Sequence, residues 1–464
     1  MPKPPHTICL GVGRQLFVDD FLIESMTLER KWHEARIEKL SAIRPSSKRP
    51  WESTAKKTRT ARPFGAGVHV SPNGEVLLLW YRCGWRGEAG RTCVALSRDG
   101  FNLTFPTYGN TAASSSKKMV MHQQRVGTNI VLQSRSVEAF EVAYDHLSKP
   151  PRFVALRMEW MTGGKRVAPY TAYESADGVR WKKSQWVEPL VMADRSTFFL
   201  NPLRDPPVWA FSLRENLCKG GPSGHMRARR YWERPVHGGD KAAQMAYKPF
   251  IHSYFQCSEG KPARNEPVPW FGIDDNDCGF GECDVYNVDG LAYESIMIHG
   301  LAILHGPNHG GELKNNTIHL GFSRDGVHIT RPPGNPTRQP FIQLPKQSKA
   351  PNGRWMGLSN AQLASGSPIV SSDGKSLLFY FGYGGSLNYA PGTVESIYSE
   401  YVEATGVAVL RRDGFASIAT RRGKPTGRLL TRPIVYTGNR LFVNVRLPSA
   451  QSSLKVEVLA AYTT

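Results

Sequence analysis

An internal repeat constrains the fold of this chain more than any other sequence feature. A turn-like motif, Ser-x-Asp-Gly followed by an apolar residue, begins at Ser97 and returns at Ser175 and Ser323. The offsets from the first copy are 78 residues (175 − 97) and 226 residues (323 − 97). They lie near one and three multiples of about 75 residues, a period typical of repeat folds. Because Gly adopts the positive φ that a tight turn needs, each copy predicts a hairpin turn.

A second motif repeats with the same period. The stretch Val70–Tyr81 matches the stretch Val370–Phe381 at an offset of 300 residues (371 − 71), close to four multiples. Arg412–Phe415 is a partial copy of the first motif, and Ser258–Gly260 is a degenerate one. Five units of about 75 residues need about 375 residues, which a 464-residue chain accommodates with loops and terminal extensions. The repeat therefore predicts five similar units.

The units have the composition of β-strands. Short β-prone runs such as Leu77–Tyr81, Val208–Ser212 and Leu377–Phe381 are bounded by Pro, Gly and Asn, and long helical periodicity is scarce. Short strands, turn residues and a fixed long period predict an all-β fold, a five-bladed β-propeller. Two packed β-sandwich domains are the alternative, but they would not produce the repeated offset.

The propeller is expected to span residues 1–425. Residues 426–464 contain two further strand patterns, at Leu441–Leu447 and Leu454–Leu459. We expect these C-terminal strands either to close the ring or to form a small appendage. The longest apolar strings, such as Ile296–Leu304, are interrupted by polar residues or Gly, so no segment approaches the ~18 apolar residues of a membrane helix.

The chain is strongly basic, with a formal net charge of +20. Such a charge is typical of proteins that bind nucleic acid, but here the Lys and Arg residues are mostly scattered. The densest run extends from Lys48 to Arg62, and a second cluster extends from Arg227 to Arg234. A solvated basic surface is the simplest interpretation, and an anionic small molecule or polysaccharide is the next. We therefore expect a saccharide partner rather than nucleic acid or a membrane.

The cysteines give no sign of a disulfide framework. There are seven, an odd number, and they are spread widely, which predicts reduced and mostly buried thiols. Only Cys278 and Cys283 lie close together, and no second pair completes zinc-ligand spacing, so neither a metal nor another cofactor is expected. The first residues lack an apolar run of signal-peptide length. Localisation stays open between the cytoplasm and export.

A propeller brings residues from distant parts of the sequence together around its central channel, so acids beside apolar strands are candidate site residues. Asp19 and Asp20 follow the apolar run Leu16–Val18, and alternation would send them to opposite faces of a strand. Asp194 and Arg195 precede an aromatic strand. A strand-end turn is the alternative for the first pair, and a surface ion pair or a helix cap is the alternative for the second.

Further acids lie later in the chain. Glu294 follows Tyr293 and precedes an apolar strand, with Asp289 five residues upstream. The alternative for Glu294 is a buried carboxylate paired with an Arg. Asp205, in an Arg-Asp-Pro sequence, and Glu282, in a Glu-Cys sequence, are also candidates, although both segments are typical of turns.

Other side chains are candidates for substrate contacts. Arg195, Arg229 and Arg230 could bind a carboxylate or a sulfate, because the guanidinium fork fits those anions. Trp80 and Tyr293 could provide platforms for sugar rings. The alternative for such aromatic residues is a place in the core.

Several of these segments, taken together, resemble a known family. They look like the corresponding segments of bacterial glycosyl hydrolase-like proteins related to glycoside hydrolase families thirty-two and forty-three. The resemblance runs from about residue 14 to about residue 460 and implies a five-bladed β-propeller that acts on glycosidic bonds. The matching segments are Leu16–Glu24, Asp194–Phe199, Arg227–Glu233, Tyr286–Ser295, Gly321–Gly326 and Leu410–Phe415.

The resemblance also implies catalytic roles. Propeller hydrolases use an Asp of the first blade, a middle Asp and a later Glu, so we expect Asp20 as base or nucleophile, Asp194 as orienting acid and Glu294 as general acid. Asp205 and Glu282 form a reserve set, because family thirty-two carries Arg-Asp-Pro and Glu-Cys motifs in that order. The Asn-Asp-Pro-Asn-Gly opening of that family is missing, which argues against a fructan substrate.

The sequence thus predicts a glycosidase that cleaves an oligo- or polysaccharide, with an anionic one favoured by the basic charge. Paired carboxylates in the channel would perform the reaction. The alternative is a non-catalytic propeller that binds carbohydrate or protein. An enzyme needs two carboxylates within about 10 Å of each other, whereas a binding module does not.

Overall fold

The computed structural model describes most of the chain, apart from short gaps and a few longer segments. The degenerate turn at Ser258–Gly260 lies outside the described residues. The described residues are 4–11, 13–52, 59–65, 67–83, 90–108, 127–134, 137–159, 169–186, 190–191, 195–217, 226–236, 268–278, 282–306, 315–334, 337–345, 348–349, 355–385 and 402–460.

The described chain is almost entirely β-structure, as predicted. Its helical segments are a 3₁₀ turn at Pro50–Glu52 and a single turn, α1, at Asp275–Cys278. The strands of the first half are β1 Ile8–Cys9, β2 Ile23–Met26, β3 Glu29–Trp32, β4 Arg36–Ile43, β5 Arg59–Arg62, β6 Val68–Val70, β7 Leu77–Cys83, β8 Gly90–Ser97, β9 Leu103–Thr104, β10 Ile130–Ser134, β11 Val137–Asp145, β12 Arg152–Glu159, β13 Pro169–Ser175, β14 Lys182–Lys183, β15 Leu190–Val191, β16 Thr197–Asn201, β17 Val208–Leu217 and β18 Met226–Pro235. Those of the second half are β19 Val268–Phe271, β20 Cys283–Tyr293, β21 Ile296–His305, β22 Asn315–Ser323, β23 Ser348–Lys349, β24 Trp355–Met356, β25 Leu358–Leu363, β26 Ile369–Val370, β27 Ser376–Gly385, β28 Val402–Arg411, β29 Ala416–Ala419, β30 Leu429–Thr431 and β31 Ile434–Val435.

The chain divides into two compact units. Unit 1 comprises Met1–Lys31 with Ala416–Thr464, and unit 2 comprises Trp32–Phe415. In unit 1, β1 pairs in parallel with β31, and β2 pairs antiparallel with β30. The predicted domain boundary at residue 425 stays a prediction.

The prediction of two strands at residues 441–447 and 454–459 is wrong. These residues form no strand and are strongly exposed, with Phe442 85% exposed and Val458 81% exposed. Their alternating pattern suits a strand, but a strand also needs a hydrogen-bonded neighbour. Within the described part of the chain, no strand pairs with them.

Unit 2 is built from consecutive antiparallel strands. Separate sheets contain β11 to β15, β16 to β19, and β20 to β22. A larger sheet joins the first and last strands of the unit, because β5 pairs antiparallel with β7 and parallel with β28. The early strand β4 also pairs with β28. Hydrogen bonds thus hold the beginning and the end of unit 2 in one sheet.

The three complete copies of the Ser-x-Asp-Gly motif form the same turn, as the repeat predicted. In each turn the Ser hydroxyl donates to the Asp carboxylate over 2.9–3.0 Å, and the Gly amide donates to the Ser oxygen over 2.8–2.9 Å. The Gly has a φ of 84°, 74° and 77° in chain order, which suits Gly alone. The turn residues are Ser97, Asp99 and Gly100; Ser175, Asp177 and Gly178; and Ser323, Asp325 and Gly326.

Each turn also accepts a hydrogen bond from a strand that is distant in the sequence. The Tyr380 hydroxyl on β27 donates to the Gly100 carbonyl. The Trp80 indole on β7 donates to the Gly178 carbonyl over 2.7 Å. The Asn201 amide on β16 donates to the Asp325 carbonyl over 2.9 Å. The Trp80 and Asn201 contacts each join two separate sheets, whereas the Tyr380 contact joins two parts of the larger sheet, which contains β8 and β27.

The prediction of reduced thiols is wrong for four cysteines. Cys83 on β7 and Cys93 on β8 form a disulfide with a Cα–Cα distance of 5.9 Å, and Cys278 and Cys283 form another with a Cα–Cα distance of 5.3 Å. Both distances are in the range for disulfides. An odd count could not reveal that adjacent strands bring Cys83 and Cys93 together. Cys9 is free and exposed, and Cys218 and Cys257 lie outside the described residues.

Candidate active site

Two buried carboxyl groups from different sheets of unit 2 meet at one hydroxyl. Glu141 lies on β11 and Asp289 lies on β20, while Ser365 follows β25. The Ser365 Oγ is 2.7 Å from Glu141 Oε2 and 2.5 Å from Asp289 Oδ2. Glu141 is 1% exposed, Asp289 is 6% exposed and Ser365 is 4% exposed. The fold therefore assembles a carboxyl pair inside unit 2.

This arrangement suits a pair that holds one proton. A serine hydroxyl has one hydrogen, so it donates a full hydrogen bond to one carboxylate at a time. Ser365 forms two full hydrogen bonds when the other carboxyl group carries a proton and donates it to the Ser365 oxygen. The geometry thus places one acid beside one base.

The electrostatics agree with a shared proton. Burial raises the pKa of Glu141 to about 7, against the lowering effect of the Arg195 guanidinium and with a further rise from the Asp289 charge. Burial likewise raises the pKa of Asp289 to about 6, although hydrogen bonds from Ser365 and from the Gly290 amide lower it. Desolvation disfavours the charged form of a carboxyl group, so the pair retains a proton close to neutral pH.

Two buried arginines lie beside the pair. Arg195 Nη1 is 3.5 Å from Glu141 Oε1. Arg229 donates one hydrogen bond to the Arg195 carbonyl over 2.6 Å and another to the Tyr286 carbonyl. Arg195 has a φ of 63°, a conformation that costs free energy for a residue with a side chain. The Arg229 contact holds the Arg195 backbone in this conformation, which positions its guanidinium against Glu141.

The ring of Phe64 packs against three guanidinium groups. Those of Arg62, Arg82 and Arg195 lie 4.5, 4.4 and 4.5 Å from its centre. Glu403 pairs with two of them, at 3.4 Å from Arg62 and 2.8 Å from Arg82. All of these side chains are buried. Four buried arginines, including Arg229, and three buried carboxyl groups therefore lie in this region.

Gly65 covers the carboxyl group of Glu141. A Cβ placed at Gly65 would lie 2.0 Å from Glu141 Oε1, and the backbone φ of Gly65 is 86°. Both features exclude other residues without rearrangement. The next residue after Phe64 therefore has to be Gly for Glu141 to keep its position.

Three residues predicted for the site belong to this cluster, namely Arg195, Arg229 and Asp289. Arg230 is also buried, but it is adjacent to Arg229 on β18 and so points to the opposite face. The cluster brings together residues that are distant in the sequence. Arg195 and Asp289, for example, are more than 90 residues apart and come from different sheets.

Glu294 and Tyr293 occupy a different place. Glu294 lies in the turn between β20 and β21, about 16 Å along the strand from Asp289 at ~3.3 Å per residue. It is half-buried and lies 3.3 Å from the Arg412 guanidinium, so it matches the alternative of a carboxylate paired with Arg. The Tyr293 hydroxyl donates to Asp413 over 2.6 Å. Their roles in the site stay predictions.

Asp19 and Asp20 belong to unit 1. They lie in a bend before β2, which matches the strand-end turn that the sequence left open. Asp19 accepts a hydrogen bond from the Phe21 amide over 3.2 Å. Asp20 has a side chain that is 69% exposed and lies 2.5 Å from Arg30 Nη2. Their catalytic roles stay predictions.

The remaining candidates have simpler surroundings. Asp205 is exposed in the turn between β16 and β17, and Glu282 is exposed just before β20. Trp80 is fully buried, with its ring against Phe153 and Trp181, and so takes the core position that the sequence left open. Asp194 lies outside the described residues.

Sequence reasoning missed Glu141, Ser365 and Phe64. Glu141 did give a signal, because it is the single acid in the apolar run Ala139–Ala143. Such an acid is costly to bury without a partner. Ser365 and Phe64 gave none, because a lone Ser or Phe in a β-rich chain has no distinctive neighbours. Among the described residues, no group of three or more His, Cys, Asp or Glu side chains is arranged to hold a metal ion. No described helix is long and apolar enough to span a membrane.

No protein-family model matches the sequence, and no curated protein matches it significantly. Solved structures resemble it in fold. An N-acetylgalactosamine deacetylase from F. plautii, in complex with blood group B trisaccharide, has a TM-score of 0.48 at 12% identity, over 82% of this chain and 95% of that chain. A glycosyl hydrolase from Bacteroides ovatus has a TM-score of 0.41 at 10% identity, over 86% of this chain and 96% of that chain.

A GH43 protein from Bacillus licheniformis, BlXynB, is also similar, with a TM-score of 0.36 at 13% identity, over 84% of this chain and 60% of that chain. At such identities the likeness concerns the fold, and the function of this chain has to be argued from its own buried carboxyl pair.

Proposed function

We propose that this protein is a glycoside hydrolase with a five-bladed β-propeller fold, and that Glu141 and Asp289 are its catalytic pair. The observation that carries the proposal is the Ser365 hydroxyl, which lies within hydrogen-bond distance of both carboxyl groups. Glycoside hydrolysis needs an acid and a base or nucleophile close together, and a pair that shares one proton near neutral pH supplies both. The five-bladed count is supported by the repeat spacing and by β5, which pairs with both an early and a late strand of unit 2.

The separation of the two groups favours a retaining reaction. Glu141 Oε2 and Asp289 Oδ2 lie 2.7 and 2.5 Å from one oxygen, so they are at most 5.2 Å apart (2.7 + 2.5). Retaining enzymes hold their carboxyl groups ~5–5.5 Å apart, and inverting enzymes hold them ~6.5–9.5 Å apart. Asp289 accepts a hydrogen bond from the Gly290 amide, which favours its charged form, so Glu141 would donate its proton to the departing oxygen. Asp289 would attack the anomeric carbon.

Water would then complete the reaction. Glu141, now a carboxylate, would take a proton from water as the water oxygen displaces Asp289 from the anomeric carbon. This step releases the sugar and restores the proton on Glu141. The positive charge of Arg195 and Arg229 would stabilise the carboxylate forms that appear during the cycle. The guanidinium groups of these two residues also suit a sugar that bears a carboxylate or a sulfate.

A non-catalytic saccharide-binding protein is the second candidate. It is favoured by the burial of the pair, since Glu141 is 1% exposed and Asp289 is 6% exposed. A carboxyl pair in this position could serve to hold three sheets together through Ser365. Such a protein would bind saccharides and leave them intact.

Turnover separates the two candidates. We would assay wild type, Glu141→Gln and Asp289→Asn on neutral and anionic aryl glycosides and oligosaccharides. We expect hydrolysis by wild type and a loss of about 100-fold or more in both variants, the usual effect of removing a general acid–base or nucleophilic group. Glu75→Gln, an exposed turn residue, is the matched control and should keep full activity.

Three outcomes would count against the proposal. Saccharide binding without any hydrolysis would favour the binding protein. Hydrolysis that survives both Glu141→Gln and Asp289→Asn but disappears in Glu294→Gln or Asp20→Asn would return the catalytic role to the residues expected from the sequence. Equal losses in Glu75→Gln would indicate a general effect on folding.

A further inference from the structure

A polar groove lies on the surface of unit 2, at the start of the densest basic run of the sequence. Its volume is about 590 Å³, and its lining includes Arg44, Ser46, Ser47, Arg49 and Phe105. None of the described residues that line it is acidic. The segment 44–49 connects β4 to the 3₁₀ turn at Pro50–Glu52. The groove is thus large enough for a small ligand and is lined by hydrogen-bond donors.

The guanidinium of Arg49 is held rigidly at this groove. Its Nε donates to Glu52 Oε1 over 2.6 Å, and its Nη2 donates to the Arg44 carbonyl over 2.8 Å. It also lies 3.7 Å from the centre of the Phe105 ring. The side chain is only 14% exposed. A donor that is already fixed loses little conformational entropy when it binds a ligand, so Arg49 is prepared for an interaction.

Glu52 fixes Arg49 without closing the groove. Its side chain is fully buried and also accepts hydrogen bonds from the Tyr81 hydroxyl over 2.7 Å and from the Ser46 amide over 3.0 Å. Both of its oxygens therefore have partners inside the protein.

The balance of charge at the groove is positive. Arg44 and Lys48 are exposed, so with Arg49 three positive charges lie on this segment against the single negative charge of Glu52. These positive charges attract a negatively charged ligand even where the groove is open to solvent. The expected ligand is therefore an anion.

We propose that this groove binds the carboxylate or sulfate group of a small saccharide, at a site distinct from the carboxyl pair. Guanidinium forks and serine hydroxyls suit the oxygens of such a group. A nucleic-acid strand fits less well, because its bases stack on exposed aromatic faces and the Phe105 ring is occupied by Arg49. The choice of a saccharide rests on the proposed function, whereas binding of the anionic group does not depend on hydrolysis.

Calorimetric titration tests it, with a sulfated disaccharide, an oligogalacturonate and an uncharged disaccharide of similar size as probes. We expect the two anionic probes to bind and the uncharged one not to bind. Arg44→Ala should weaken anion binding about tenfold, the usual size of one charged contact. Arg180→Ala removes the same charge from an exposed turn that does not line the groove and should leave the affinity unchanged. Comparison of the two anionic probes shows whether sulfate or carboxylate is preferred.

Other outcomes would overturn the proposal. Equal weakening by Arg44→Ala and Arg180→Ala would show that only the net charge matters. Unchanged affinity in Arg44→Ala would place the anion elsewhere, including at the arginines near Glu141. Displacement of the saccharide by a lower concentration of single-stranded oligonucleotide would identify a nucleic-acid surface. All of these results are independent of whether Glu141→Gln retains turnover, so this proposal and the hydrolase proposal can fail separately.

Discussion

At the scale of the residue, Ser365 determines how Glu141 and Asp289 share a proton. The raised pKa values of both carboxyl groups follow from burial, and they connect protonation to stability. Protonation stabilises the folded state wherever the folded pKa exceeds the unfolded one. The stabilisation of the folded state by protonation of the pair is therefore complete below about pH 4 and is lost as the pH rises through about 6 and 7.

This linkage predicts a pH-dependent stability. The free energy of unfolding of wild type should fall by a few kcal/mol between about pH 4 and pH 7 from this pair alone. In Glu141→Gln, which keeps the shape but cannot ionise, the fall should be smaller. Urea denaturation at a series of pH values measures the difference. An identical slope in wild type, Glu141→Gln and the control Glu75→Gln would contradict the proton-sharing arrangement.

Gly65 gives a second prediction at this scale. Gly65→Ala should destabilise the protein by about 2 kcal/mol or more, because the added methyl group displaces Glu141 and the positive φ is strained. Gly74→Ala has a similar φ of 77° but nothing within 4 Å of the added Cβ, and it should cost only about 1 kcal/mol. Chemical denaturation compares the two. Equal costs would mean that Glu141 moves away freely.

The sequence could predict part of this site. Asp289 was expected from its position beside an apolar strand, and Arg195 and Arg229 were expected as groups that bind an anion; the structure brings the three together. Glu141 and Ser365 were not expected, because they meet only through the packing of three sheets. A sequence shows which acids are surrounded by apolar residues, but not which distant hydroxyl or guanidinium will compensate them.

At the scale of the element, each repeated turn has its own internal hydrogen bonds and also accepts a hydrogen bond from a strand that is distant in the sequence. Asp325 accepts hydrogen bonds from the Val327 and His328 amides, each over 2.8 Å. Partial burial raises the pKa of Asp325, but hydrogen bonds from His328 and Val327 outweigh this effect and lower it to about 2. The stabilisation is present above the unfolded pKa of about 4 and is lost as the pH falls through about 2.

Removal of this carboxylate should therefore have a defined effect. Asp325→Ala should lower the free energy of unfolding at pH 7 by about 1–2 kcal/mol, and the difference from wild type should shrink below about pH 4. Asp205→Ala, in an exposed turn, should cost less than about 0.5 kcal/mol. Guanidinium denaturation at pH 7 and pH 3 provides the measurement. A constant difference at both pH values would contradict the role of the ionised carboxylate.

Turns could be predicted at this scale better than terminal strands. A turn is specified locally by its Ser, Asp and Gly, and the three copies form identical hydrogen bonds. Leu441–Leu447 has an equally clear alternating pattern, yet it forms no strand, because pairing depends on a partner that the segment itself does not encode.

At the scale of the whole molecule, the repeat predicted an all-β chain, and the two disulfides could not be foreseen from cysteine counts. Cys83–Cys93 and Cys278–Cys283 each link residues brought close by the fold. Disulfides persist mainly in oxidising compartments. A protein that keeps both bonds is suited to export, which was one of the two localisations left open.

The disulfides can be tested directly. Alkylation of the unfolded, unreduced protein should leave Cys83, Cys93, Cys278 and Cys283 unlabelled, as peptide mass spectrometry would show. Reduction should lower the free energy of unfolding by about 2–3 kcal/mol for the ten-residue link between Cys83 and Cys93. Labelling of these cysteines without reduction would mean that the thiols are free, as the sequence first indicated.

The most direct test of the central claim is to trap the covalent intermediate. A fluorinated glycosyl fluoride of the sugar that wild type hydrolyses would slow the second step and leave the sugar attached to the nucleophile. We predict one added sugar by intact mass, located by peptide mapping on Asp289, and none on Asp289→Asn. A sugar attached to Asp20 or Glu294 instead would contradict the assignment of Glu141 and Asp289 as the catalytic pair.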